Sequence, residues 1–180
     1  FQTGGVEVKV AGSGKWDTVS VLVYTALGKY EMFVNDEYSN EGTFEQSAYP
    51  SVSGMEFTTD ALFYIDNIKV EQFDRTYADE ELEAIFSDNF DSLNDGALYG
   101  QNGWSGNTRP NYGTVTSATA YSGKAVDFTR TDFAYTQRNL HDFTATADNM
   151  VVSMMLYHPS NTSGKLDIKL RAGAGDSGRI

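Results

Sequence analysis

The stretch Ala61–Val70 (ALFYIDNIKV) constrains this chain more than any other. It reads as a buried β-strand: Tyr64, Ile68 and Val70 share one face with Asp66, while Phe63, Ile65 and Lys69 share the other. An aromatic and aliphatic strand with one inward Asp commonly closes a β-sandwich. Here it comes little more than a third of the way along 180 residues. A short way downstream, Asp88–Trp104 (DNFDSLNDGALYGQNGW) reads like the opening of such a sandwich. The end precedes the beginning.

Taken in order, Val6, Val8 and Val10 alternate with charged residues and predict a half-exposed strand. In Lys15–Tyr24, Val19, Val21 and Val23 face one way and Leu22 the other, which suits an inner strand. Tyr30–Val34 is the next strand, ended by the turn residues Asn35-Asp36. Polar residues 37–54 read as a long loop, followed by a strand at Met55–Thr58. Strands are also expected at Gly113–Ser117, Lys124–Thr129 and Ala134–Arg138, with a loop over Asn139–Ala147. Met150–His158 is apolar on both faces and reads as central. Lys165–Arg171 (KLDIKLR) alternates most cleanly, with Leu166, Ile168 and Leu170 inward.

One segment differs. Thr76–Asp79 resembles a capping box, Glu80, Glu81 and Glu83 suit the positive end of a helix dipole, and Ala78, Leu82, Ile85 and Phe86 share a side. A linker helix is therefore expected over residues 74–87. The domain reading is a closing sandwich half at 1–73, this linker, and an opening half at 88–180. Joining the ends gives Arg179-Ile180-Phe1-Gln2-Thr3, a strand that would pair with KLDIKLR. The fold class expected is an all-β antiparallel sandwich or jelly roll, cut mid-strand and rejoined through the helix. The chain reads as processed, excised, or one period of something longer.

Composition narrows the function. Forty per cent hydrophobic residues, 17 glycines and 11 tyrosines suit a folded all-β domain. A net charge of −12 offers no basic stripe to neutralise phosphates, which argues against nucleic acid as a partner. There is no cysteine, so thiol catalysis and thiolate metal sites are excluded. The longest apolar run is too short to span a bilayer, so membrane insertion is not expected. The acidic composition suits an extracellular or cell-surface protein. Asn161-Thr162-Ser163 is a glycosylation sequon in a host that glycosylates.

In the rotated order the chain resembles the laminin-G/concanavalin A-like sandwich modules and, nearly as well, the jelly-roll carbohydrate-binding modules. The matching pieces are DNFDS…GQNGW, YSGKAVDF, NLHDFTATADNMVVSMMLYH, GKWDTVSVLVY, YEMFVND and FYIDNIKV, covering most of the chain. The rotated order is the departure from both families. Retaining glucanases on this scaffold carry a Glu-x-Asp-x-Glu triad, because nucleophile and acid/base must stand about 5 Å apart. Asp66–Glu71 places Ile68 and Val70 where the partners should be, and Glu31 with Asn35 also fails, so no enzyme is expected. His141 and His158 lack nucleophile or metal-ligand spacing and read as a surface and a core-edge histidine.

The resemblance implies calcium where the first strand meets the last, held by Asp66 and Asp91 and joined by Asp88 and Asn89. An inward carboxylate must be paired or metal-bound to offset its desolvation. The alternative is that Asp66 accepts backbone or hydroxyl hydrogen bonds and no ion. Sugar contact would fall to the loop tyrosines Tyr49, Tyr99, Tyr112 and Tyr121; Trp16 and Trp104 occupy positions that are usually core in these families.

Two functions follow. The first is a structural or adhesive protein, a subunit of a filament or surface array assembled head-to-tail by exchanged sandwich halves, with itself as partner. The second is a circularly permuted, lectin-like carbohydrate-binding module with a polysaccharide partner.

Overall fold

The computed structural model describes residues 6–8, 13–43, 53–59, 61–73, 82–106, 113–128, 139–146, 149–159 and 166–171. Fourteen strands occur among them: β1 (Val6–Val8), β2 (Trp16–Tyr24), β3 (Lys29–Val34), β4 (Glu37–Thr43), β5 (Gly54–Thr59), β6 (Tyr64–Phe73), β7 (Glu83–Asp88), β8 (Gly96–Ala97), β9 (Ser105–Gly106), β10 (Thr114–Thr116), β11 (Ala125–Asp127), β12 (Asn139–Asp142), β13 (Asn149–Tyr157) and β14 (Leu166–Arg171). They form two antiparallel sheets. One runs β1-β14-β5-β12-β9; the other runs β4-β3-β2-β13-β6-β11-β10-β8, with β7 also on β6.

Alternation decides which side chains meet between the sheets. Val19, Val21 and Val23 of β2, Val152, Met154 and Leu156 of β13, and Met55 and Phe57 of β5 all lie in one core with Leu166 and Ile168 of β14. Burying each such side chain contributes roughly 1.5–3 kcal/mol, the dominant favourable term in this fold. Central placement of Met150–His158 is borne out: β13 pairs with β2 on one side and β6 on the other. The strands from before and after residue 74 are thus interleaved within one chain. The first strand, β1, pairs with the last, β14, with Val6 opposite Ile168; the joined segment 179–180/1–3 lies outside the described residues.

Three expectations are corrected. Residues 83–87 of the expected linker helix are strand: β7 pairs antiparallel with β6, Lys69 opposite Ser87 and Val70 opposite Phe86. A bulge between Val70 and Glu71 lets both Ile85 and Phe86 pack on the core, so pairing with an otherwise open strand edge outweighs the local helical pattern. Leu82 packs on the opposite face of the large sheet, in a second apolar cluster around Leu22, Phe73 and Val151. The helix start at Thr76–Asp79 lies outside the described residues.

The polar stretch after Asp36 is not all loop. Asn35 and Asp36 both take positive φ (52° and 64°), the two-residue hairpin geometry that suits strand twist, and β4 pairs back onto β3. Likewise Asn139–Asp142, expected as loop, is β12, paired with β5 and β9. The expected strand at Ala134–Arg138 lies outside the described residues.

Candidate functional site

The site is organised by a fork in the large sheet. On the side away from β13, β6 pairs with β11 at Tyr64 and Ile65, and with β7 from Ile68 onward. Between the two partners stand Asp66 and Asn67, and Asn67 takes a positive φ of 50°. Ile65 and Ile68 both face the core although three residues apart, so the strand carries an extra residue here. This corrects the face assigned to Asp66. It lies on the outer face with Tyr64, opposite Met155, and not with Ile68 and Val70.

Asp66 is nonetheless 0% exposed, because the loop over residues 118–123 lies on top of it. Its Oδ2 accepts hydrogen bonds from the backbone N–H of Tyr121 (3.1 Å) and Ser122 (3.0 Å), and its Oδ1 from Asn67 N–H (2.7 Å). Burial pushes the Asp66 carboxyl up from its ordinary value and the charge of Asp91 adds to the push, against the pull of the three amides.

Asp91 holds the far end of the same loop. Its Oδ1 accepts from Lys124 N–H at 2.8 Å and its Oδ2 from Asn89 Nδ2 at 3.1 Å. A Cβ at Gly123 would lie 1.9 Å from Asp91 Oδ1, and Gly123 has a positive φ of 56°, so glycine is required there. Asp88 serves a different purpose. Its Oδ2 accepts from the indole Nε1 of Trp104 (2.8 Å) and Asn102 Nδ2 (3.0 Å), and its Oδ1 from Phe90 N–H (2.8 Å).

The structure therefore brings Asp66 and Asp91 to one loop and turns Asp88 toward the Trp104 ring. Asn89 reaches Asp91 only through its side-chain amide. Among the described residues no three His, Asp or Glu side chains are grouped to hold a metal. Asp88 does not fit a shared cation with Asp66 and Asp91; those two remain the pair that could flank one.

Beside the fork lies an open recess of about 430 Å³, lined by Asn67, Lys69, Ser87, Asn89, Ser92 and Asn102, with Ile68 and Asp88 at its base. Asn102 (φ 44°) and Phe90 (φ 61°), like Asn67, adopt a backbone conformation that costs a side-chain-bearing residue of order 1–3 kcal/mol, and such positions cluster at functional sites. Lys69 is paired with Glu71 at 2.6 Å, which leaves amides and hydroxyls as the principal lining.

Of the tyrosines expected to meet sugar, Tyr99 and Tyr121 are exposed; Tyr49 and Tyr112 lie outside the described residues. The two tryptophans divide. Trp104 is core, as expected, whereas Trp16 is only partly buried and sits on the outer face of the large sheet. There it stands beside Tyr157 (ring centroids 5.6 Å) and Tyr121 (6.1 Å), and Tyr157 stands beside Tyr64 (5.8 Å). Tyr64 and Tyr157 were not anticipated. The available signal was an aromatic at the outward position of each of three strands, and it becomes legible only once the register is known. Both histidines are buried: His158 stacks on Phe63 at 4.3 Å, and His141 lies 3.9 Å from Phe86 with its Nε2 on the Asn102 carbonyl, so neither is a surface residue.

No protein-family model and no curated protein matches this chain.

Proposed function

We propose that this chain is a non-enzymatic extracellular sandwich module that binds polysaccharide. The recess at the fork of the large sheet carries this reading. Its volume suits a sugar unit, and its amides and hydroxyls are groups that exchange hydrogen bonds with sugar hydroxyls. The interleaving of β13 between β2 and β6 supports a unit whose core closes within one chain. Within this reading a calcium ion would be held by Asp66 and Asp91, and would supply positive charge between two carboxylates that repel each other.

The test is isothermal titration against soluble neutral polysaccharides, with Ser87→Phe as the variant that fills the recess. Saturable binding that Ser87→Phe abolishes supports the reading. A wild-type chain that binds none of them sinks it.

One observation favours the second reading, head-to-tail assembly. Among the described residues the three-residue β1 is an edge strand that pairs only with β14, a position from which a strand exchanges between copies at little cost. Light scattering on the eluted protein separates the two: a mass near 19.8 kDa supports the self-contained module, and a ladder of multiples supports assembly.

A further inference from the structure

We infer that the outer face of the nine-stranded sheet carries an aromatic platform for a neutral glycan chain, formed by Trp16, Tyr157 and Tyr64 and completed by Tyr121. The inference rests on the polysaccharide-binding reading and locates its second contact.

Register sets the rings abreast. Tyr157 of β13 is directly opposite Trp16 of β2 on one side and Tyr64 of β6 on the other. Adjacent strands lie about 4.8 Å apart, so the three rings stand in a row across the sheet, Tyr157 inclined 45° to Trp16 and 66° to Tyr64. Along the same strands the next outward positions are polar but for Met155: Thr18 and Ser20 on β2, Ser153 on β13 and Asp66 on β6. Three partly exposed aromatics in one row break that pattern. Rings gathered at a surface are the usual means of holding a flat, weakly polar ligand face.

The fourth ring explains the costly carboxylate beneath it. Tyr121 is 55% exposed, yet its loop is pinned by Asp66, which accepts the N–H groups of both Tyr121 and Ser122. The pinned loop sets the Tyr121 ring edge-on to Trp16. Thr119, in the same loop, lies close enough to the Tyr64 hydroxyl to act on it, so both ends of the row border one segment. Burying a carboxylate to position an exposed tyrosine has no return in core packing. Asp66 is a positioning residue for the platform.

Charge selects the ligand class. Asp127 is opposite Tyr64 in register, Asp66 lies beneath, and the whole chain carries −12. Anionic glycans are repelled from such a face and neutral ones are not. The recess opens on the same face, where Lys69 and Ser87 are cross-strand neighbours beyond Asp66. A chain lying on the platform has the recess as its second contact.

The test uses the full chain with hydroxyethyl cellulose, xylan and galactomannan as neutral probes and polygalacturonate as the anionic comparison, read by titration calorimetry. Trp16→Ala and Tyr121→Ala are each expected to weaken binding of the tightest neutral probe at least about tenfold, while Leu27→Ala, on an exposed turn, leaves it unchanged. Tyr121 is exposed, so its variant folds and keeps the test open if Trp16→Ala does not. Asp66→Asn is expected to weaken binding, and adding it to Tyr121→Ala should cost little more, because the two act through one contact; a merely structural role would make the losses add. Neutral binding that Trp16→Ala and Tyr121→Ala leave at wild-type strength overturns the platform alone. Preference for polygalacturonate overturns the ligand class. Absence of any binding overturns the platform together with the function on which it rests.

Discussion

Trp104→Phe tests how the recess is anchored. The Trp104 ring is 2% exposed and stands among Phe57, Phe86, Phe90 and His141, with centroids 5.1–6.2 Å away. Its Nε1–H donates to Asp88 Oδ2 at 2.8 Å. Phenylalanine keeps the apolar contact but removes the donor. A hydrogen bond to a charged acceptor contributes roughly 1.5–3 kcal/mol, and Asp88 keeps only Asn102 on that oxygen. The smaller ring leaves a void worth about 1–2 kcal/mol more. The expected loss is about 3–4 kcal/mol, which lowers Tm by roughly 6–16 °C in a chain of this length. Urea unfolding followed by far-ultraviolet circular dichroism reads it directly. The same measurement on Asp88→Asn and on the double variant gives the coupling, expected at about 1.5 kcal/mol or more. A loss below about 1 kcal/mol with additive single effects would refute the reasoning, and Asp88 would then be held by its other two donors.

Three further outcomes are expected. Gly123→Ala must accommodate a Cβ at 1.9 Å from Asp91 Oδ1 and a positive φ, so it should cost at least about 1–2 kcal/mol and lower glycan affinity through the displaced Tyr121; unaltered stability and affinity in that variant would count against a loop pinned at both ends. Removing calcium with EDTA should lower Tm if an ion sits between Asp66 and Asp91, and a thermal scan unmoved by EDTA and by added calcium discards it. Asp66 titrates above its ordinary value in the folded state, so the folded chain binds this proton more readily than the unfolded chain. The group therefore opposes folding at neutral pH, and that penalty fades as pH falls through the raised pKa toward the unfolded value near 3.9. Wild-type stability relative to Asp66→Asn should rise as the pH is lowered from 7 to about 4, and a flat or falling difference in denaturation experiments would contradict this.

Local pattern made most of the sandwich legible. Val19, Val21 and Val23 and the alternation of Leu166 and Ile168 identify faces, because a strand turns successive side chains to opposite sides whatever its partners are. Asn35-Asp36 announces a turn because those side chains tolerate positive φ. Asp66 could be singled out because a carboxylate in an apolar context demands a partner, and Asp91 only through the resemblance to the jelly-roll modules. Which partner was a tertiary decision. One extra residue at Asp66–Asn67 moves the carboxylate to the outer face, where the 118–123 loop and not the core satisfies it. The same holds for Glu83–Asp88, whose helical spacing yields to the open edge of β6, and for Trp16, whose neighbours Tyr157 and Tyr64 lie far along the chain. Periodicity is a property of consecutive residues and survives in the sequence; register, bulges and the meeting of rings across strands depend on distant segments, and only the folded sheet brings those together.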